Sequence, residues 1–223
     1  NFKSVEVLRQ RLLDDVDEIE KPSIRGDVFV AVAESQYMIA EYADAIQNYR
    51  LAYQAYAETN NDSDKAFVKL ALGNVNTDIG NPTKAMEYFS EALKATNAAG
   101  DLFLKSVVLY NIGNTHFQQG EYELTLNSLS LAKSISQDIN DEIGVAWATK
   151  KQADAHKELG QWQLAIDGYS KVEEIFTETG SLLNQFDIHV GLAASYLGQG
   201  KFEKALDNLR KSEPFLDKLK QAS

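Results

Sequence analysis

Residues 64–101 read DKAFVKLALGNVNTDIGNPTKAMEYFSEALKATNAAGD. Ala66, Phe67, Leu70, Ala71, Gly73, Asn74 and Ile79 set apolar or small residues at helical spacing. Gly80-Asn81-Pro82 breaks the run, with a glycine suited to a helix end and a proline suited to a first turn. A second helix is expected after it, burying Ala85, Met86, Tyr88, Phe89, Ala92, Leu93 and Ala95 and stopping at Gly100-Asp101. The stretch is a helical hairpin with arms of roughly sixteen residues, about 24 Å at 1.5 Å per residue.

The hairpin is copied along the chain. Ala33, Gly73, Gly113, Ala153 and Ala193 lie 40 positions apart, and Ala45, Ala85, Thr125, Ala165 and Ala205 keep the same step. Tyr42, Pro82, Tyr122, Trp162 and Phe202 form a third set. The inner turns recur as Ala40, Gly80, Gly120, Gly160 and Gly200. Between copies stand Asn60-Asn61, Gly100-Asp101, Asn140-Asp141 and Gly180-Ser181, where Gly or Asn closes one helix and Asp or Ser caps the next. A fixed period of this length means one supersecondary unit in tandem, each copy burying its apolar face on the next. The expected fold is all-α. Its small residues keep the helices close: Gly73 is expected to face Ala85 across the hairpin, and Ala92 to meet the following copy. Gly168 and Gly191 are expected to soften their helices by up to ~1 kcal/mol each relative to Ala.

The organisation predicted is one continuous domain. Residues 1–21 form an N-terminal capping helix. Copies follow at 22–60, 61–100, 101–140 and 141–180, and 181–223 hold a fifth copy with a C-terminal cap. Over residues 2–20, Phe2, Val5, Leu8, Leu12, Val16 and Ile19 share one face of an amphipathic helix, with Glu6, Asp14, Asp15 and Glu18 opposite. Two readings stay open: a cover for the flank of the first copy, or the second half of a truncated copy. Ser23 is the expected N-cap after Lys21-Pro22. Pro214 is expected to kink or end the last helix, with Leu216 and Leu219 in a short continuation.

The residues resemble the tetratricopeptide repeat. The pattern runs Leu72-Gly73, Gly80, Ala85, Phe89 and Ala92 in the second copy, and Ile112-Gly113, Gly120, Tyr122, Leu129 and Ala132 in the third. The fourth carries Ala153, Gly160, Trp162, Ala165 and Tyr169. The outer copies carry Ala33, Tyr42, Ala45, Tyr49 and Ala52, then Ala193, Gly200, Phe202, Ala205 and Leu209. The family's usual unit is about 34 residues, and the longer form here looks like repeats found in bacterial signalling and regulatory proteins. Thr125 and Val172 depart from the small residue expected. The resemblance implies a right-handed superhelical solenoid of about five hairpins, working as a scaffold or sensor module that takes a peptide or protein partner in its concave groove.

In this family the first helix of each pair lines that groove, which implies a ligand face of Glu34, Tyr37, Asn74, Thr77, Asp78, Tyr110, Asn111, Asn114, Phe117, Gln118, Trp147, Lys150, Lys151, Asp154 and Lys157. The binding residues named from it are Tyr37, Asn74, Tyr110, Asn111, Asn114, Phe117, Trp147, Lys150, Lys151 and Lys157. Asn and Gln hydrogen-bond a peptide backbone, aromatic rings anchor it, and the lysines suit a carboxylate. The plainer reading is a solvated helix face, with Lys150 paired to Asp154 at i+4. A carboxylate clamp known in some relatives is met at Asn74, Asn111 and Lys151. It is missed at Leu70 and Trp147, where a lysine is expected.

Composition narrows the rest. A net charge of -11 argues against nucleic acid or an anionic membrane as partner. The absence of cysteine removes disulfides and thiolate chemistry. No apolar run reaches the ~20 residues of a membrane span. His116 and His156, one period apart, read as packed, hydrogen-bonded residues in an interhelical slot, and His189 has no ligand set beside it. No catalytic residue, metal site or cofactor is expected. The opening at Asn1 reads as a processed or excised segment of a larger signalling protein. The expected compartment is the cytoplasm, or the periplasm where the segment comes from a membrane-anchored sensor. The competing functional reading is a self-assembling homo-oligomer, a homodimer at its simplest, without a peptide ligand.

Overall fold

The computed structural model describes residues 2–222, with side chains from Glu6 to Lys220. Phe2 and Val5, expected on the apolar face of the first helix, lie outside the described side chains. Among the described residues there is no strand. The helices are α1 (Phe2–Asp15), α2 (Pro22–Met38), α3 (Tyr42–Ala57), α4 (Asp62–Asp78), α5 (Pro82–Ala99) and α6 (Leu102–Gln118). They continue as α7 (Tyr122–Asp138), α8 (Glu142–Glu158), α9 (Trp162–Glu178), α10 (Leu182–Gly198) and α11 (Phe202–Ala222). From α2 onward they pair into five hairpins. Two compact units result, divided inside α6 between Val108 and Leu109.

The turns explain the period. At each inner turn the second residue after the helix takes positive φ, as at Gly80 with 74°. The N–H three residues beyond the helix bonds back five residues, Asn81 to the Asn76 carbonyl at 2.8 Å, while Gly80 bonds the Thr77 carbonyl at 3.1 Å. These two bonds satisfy carbonyls that the helix end would orphan. The same pair recurs at Gly120, Gly160 and Gly200. Ala40 and Asn140 adopt the left-handed conformation with φ of 61° and 58°. There a Cβ is carried where glycine would be unstrained.

Caps open the following helices. The side-chain oxygens of Asn61, Asn81, Asp101 and Asp141 accept from backbone N–H groups at 3.1, 3.3, 2.9 and 2.9 Å. Ser181 makes no such cap; its hydroxyl accepts from Asn184 Nδ2 at 2.8 Å instead. Helix α2 starts at Pro22 with Lys21 at the cap position, so Ser23 lies inside the helix.

The small residues at 40-residue spacing are all buried, as are those of the second set. Their partners are large side chains. A Cβ on Gly73 would lie 2.3 Å from Phe89 Cε1, so Gly73 is the seat of the Phe89 ring. Gly26 seats Tyr56 in the same way, with 2.3 Å to its ring. Gly191 seats Tyr169 at 2.5 Å, and a Cβ on Gly168 would meet that of Ala153 at 2.8 Å. These two glycines are therefore demanded by packing, which offsets their helix-propensity cost. In the first unit the core joins Ala33, Ala45, Tyr49, Tyr56, Val68, Leu72 and Val75. In the second it joins Ala146, Ala165, Ile166, Tyr169, Phe176, Ile188 and Leu192.

The ends differ from a simple pattern. The first helix stops at Asp15 and a 3-10 turn, Val16–Glu18, follows. Val16 is buried, but Leu8 and Leu12 are 58% and 38% exposed. Instead Arg9 is buried and reaches Glu41 at 2.9 Å. At the far end Pro214 does not end α11, which runs on through it to Ala222.

Candidate functional site

Helical spacing puts Tyr110, Asn114 and Phe117 on one side of α6, and Trp147, Lys150, Lys151 and Asp154 on one side of α8. All belong to the second unit. The Tyr110 and Trp147 rings meet edge to face with centroids 6.4 Å apart, and Trp147 meets Phe176 at 5.2 Å. Trp147 remains 38% exposed, so this aromatic row is anchored from behind and open in front. Phe117 packs on Tyr122 at 5.6 Å, and Lys151 Nζ lies 4.8 Å from the Phe117 ring centroid. That position favours a cation–π attraction.

The lysines are not a free basic cluster. Lys150, buried, bridges to Asp187 on α10 at 3.2 Å and not to Asp154. Lys151 pairs with Asp154 at 3.6 Å, and Lys157 with Glu158 at 3.2 Å. Asp154 also accepts from the Tyr169 hydroxyl at 2.7 Å. Burial pushes the Lys151 ammonium below the usual lysine range, with Asp154 opposing the shift. Burial, then the charge of Asp154, raises Tyr110 to about 12, so its hydroxyl is a neutral donor at physiological pH. The result is a face of alternating sign, two ammoniums against two carboxylates, beside a row of rings.

The first unit carries the remaining residues. The Tyr37 hydroxyl donates to Asp78, and its ring packs on Tyr42 with centroids 6.0 Å apart. Thr77 is buried and donates to the Gly73 carbonyl at 3.1 Å, a helix-internal role. Asn74 Oδ1 is buried with no hydrogen-bond partner, leaving an acceptor whose desolvation is uncompensated. His116 and His156 close their turns, Nδ1 meeting Glu121 and Gln161 side chains at 2.6 Å each. His189 stacks on Phe215 with centroids 5.7 Å apart and contacts Glu173 at 3.7 Å.

Residues 68–98 match the tetratricopeptide repeat family. The fold as a whole is an all-α helical repeat of the same kind. The chain is similar to BtubC (BKLC) from P. vanneervenii, at 16% identity and a TM-score of 0.83, covering 96% of this chain and 92% of that one. It is also similar to aspartyl phosphate phosphatase F from Bacillus subtilis, at 16% identity and a TM-score of 0.70, covering 92% and 68%. A third likeness is to a Rap protein complexed with Competence and Sporulation Factor, at 14% identity and a TM-score of 0.65, covering 99% and 74%. At these identities the likeness is one of fold. Within the repeat frame, Asp187 stands one period after Trp147. Aligning the copies at that step is the signal that would have placed Asp187 on the face that Lys150 reaches.

Proposed function

We propose that this chain is a protein-interaction module, not an enzyme, and that the first-helix face of the second unit binds an extended peptide segment of a protein partner. The observation that carries the reading is the open aromatic row of Tyr110 and Trp147 beside Asn114 and the charge-balanced strip. Rings supply apolar anchorage at low entropic cost, and a side-chain amide bonds a peptide backbone without reading its sequence. Because the strip is neutral overall, the preferred segment has mixed polar and apolar character and no strong net charge. The complex of a similar Rap protein with Competence and Sporulation Factor supports this use of the fold. Among the described residues no helix is long and apolar enough to cross a membrane. The proposed setting is a signalling protein of the cytoplasm.

Peptide display tests this. Random peptides selected on the intact chain should share a sequence whose binding weakens about tenfold in Trp147→Ala and in Asn114→Ala. Leu131→Ala, an exposed position on α7, should leave it unchanged. Binders indifferent to both face substitutions would overturn the reading.

One observation favours self-association as a second reading. Ile166, Tyr169 and Phe176 are buried on α9, yet one period later Leu206, Leu209 and Leu216 on α11 are 49%, 47% and 37% exposed. A second copy would cover that stripe. Sedimentation velocity should then show a concentration-dependent dimer that Leu209→Lys abolishes, and a monomer at all concentrations excludes it.

A further inference from the structure

The first and last helices each leave apolar side chains uncovered. On α1, Val7 is 69% exposed beside the open Leu8 and Leu12, and among its described side chains only Arg9 is buried. Helix α1 has 14 residues, and a helix of about that length is marginal in water unless tertiary packing supports one of its faces. On α11, Phe202, Leu206, Leu209 and Leu216 follow one another at helical spacing and fall along one side. Phe202 is 69% exposed. Asn208 and Phe215 lie on a different side, where both meet His189 of α10. The stripe is therefore a separate face of α11 and not the margin of its packing on α10.

Charge decides which surface suits the stripe. Just beyond Leu12 come Asp14, Asp15, Asp17, Glu18 and Glu20, with no cation among residues 14–20. Just beyond Leu209 come Arg210, Lys211, Lys218 and Lys220 against Glu213 and Asp217, a net charge of +2 over residues 210–220 in a chain of net charge -11. Two copies of α1 face to face would bring the carboxylates together, and like charges in contact are unfavourable. Two α11 stripes face to face would leave α1 uncovered. Of the three pairings, α1 against α11 alone covers both apolar faces and sets opposite charges side by side.

We propose that α1 of one copy of this chain docks on the α11 stripe of a second copy, Leu8 and Leu12 packing on Leu206 and Leu209. This rests on the self-association reading above and names the surface that meets the stripe. The two helices run parallel, because the acidic segment follows Leu12 as the basic one follows Leu209. The interface is heterologous, made of two different surfaces, and each copy carries one of each. A copy that has lost one surface can still engage a neighbour through the other.

Complementation between two variants tests this, read by sedimentation velocity. Leu8→Lys and Leu209→Lys each change an exposed side chain, and circular dichroism should show the parent's helix content in both. The parent chain should associate as its concentration rises, and less so at high salt, which screens the facing charges. Each variant alone should stay a monomer. An equimolar mixture of the two should form a one-to-one dimer, because the intact α11 of the first meets the intact α1 of the second. A Leu8→Lys protein that associates like the parent, while Leu209→Lys does not, overturns the docking of α1 and leaves the self-association reading standing. So does a mixture that stays monomeric when the parent associates. A parent that stays monomeric at every concentration, or associates equally in both variants, overturns both.

Discussion

Replacing Gly73 by Ala sets two effects of known size against each other. Alanine in a helix interior is favoured over glycine by about 0.8–1 kcal/mol, so helix propensity alone predicts a more stable protein. Packing predicts the reverse. The added Cβ would stand 2.3, 2.5 and 2.8 Å from three atoms of the Phe89 ring. Phe89 is 0% exposed, so the ring cannot swing out, and α4 and α5 must separate. Overpacking of this kind costs about 1–3 kcal/mol, and the shortfall from van der Waals contact puts this case at the upper end. The expected net loss is about 1–2 kcal/mol, a fall in melting temperature of about 2–8 °C for a chain of this size. Gly113→Ala is the internal control, because its Cβ would meet Leu129 at 3.0 and 3.1 Å, where a small rotation suffices. That variant should be near neutral or slightly stabilised. Adding Phe89→Leu to Gly73→Ala should recover part of the loss, a coupling that a double-mutant cycle reads directly. Thermal melts by circular dichroism decide the matter. A Gly73→Ala protein that melts higher than the parent would refute the seat assigned to Phe89.

Other consequences are separable. Ala40→Gly should raise stability by about 0.5–1 kcal/mol, because residue 40 is left-handed; a lower melting temperature would contradict the turn. Asp141→Ala removes the cap on α8 and should cost about 0.5–2 kcal/mol, measured by urea unfolding. Tyr110 keeps its proton until about pH 12 in the folded chain but only to about pH 10 when unfolded. The stability it contributes is therefore complete below pH 10 and is lost as pH rises from 10 through 12. Melting temperature should fall less steeply across that window in Tyr110→Phe, and equal slopes would exclude a burial effect on this hydroxyl.

Periodicity made the hairpins, their turns and their small residues legible, because a 40-residue step leaves one role to each position. Gly80 could be placed at a turn from its flanks alone. The seat of Phe89 could not, since a glycine's neighbour depends on the angle at which two helices cross and not on spacing. The same reason hid the need for Gly168 and Gly191. On the candidate site, sequence named Trp147 and Lys150 but not what holds them. Lys150 pairs with Asp187 on the next hairpin, while Asp154 on its own helix is taken by Lys151 and the Tyr169 hydroxyl. Ser181, read as a cap, was diverted to Asn184. Pro214 signals a helix end in sequence, yet α11 loses one backbone bond there and continues.

Hydrogen exchange with and without a selected peptide would test the central claim most directly. Binding on the first-helix face of the second unit should slow exchange in α6 and α8 around Tyr110, Asn114 and Trp147, and leave α7 and α9 at their free rates. Protection confined to α7, α9 or α11 would place the partner elsewhere and contradict the account.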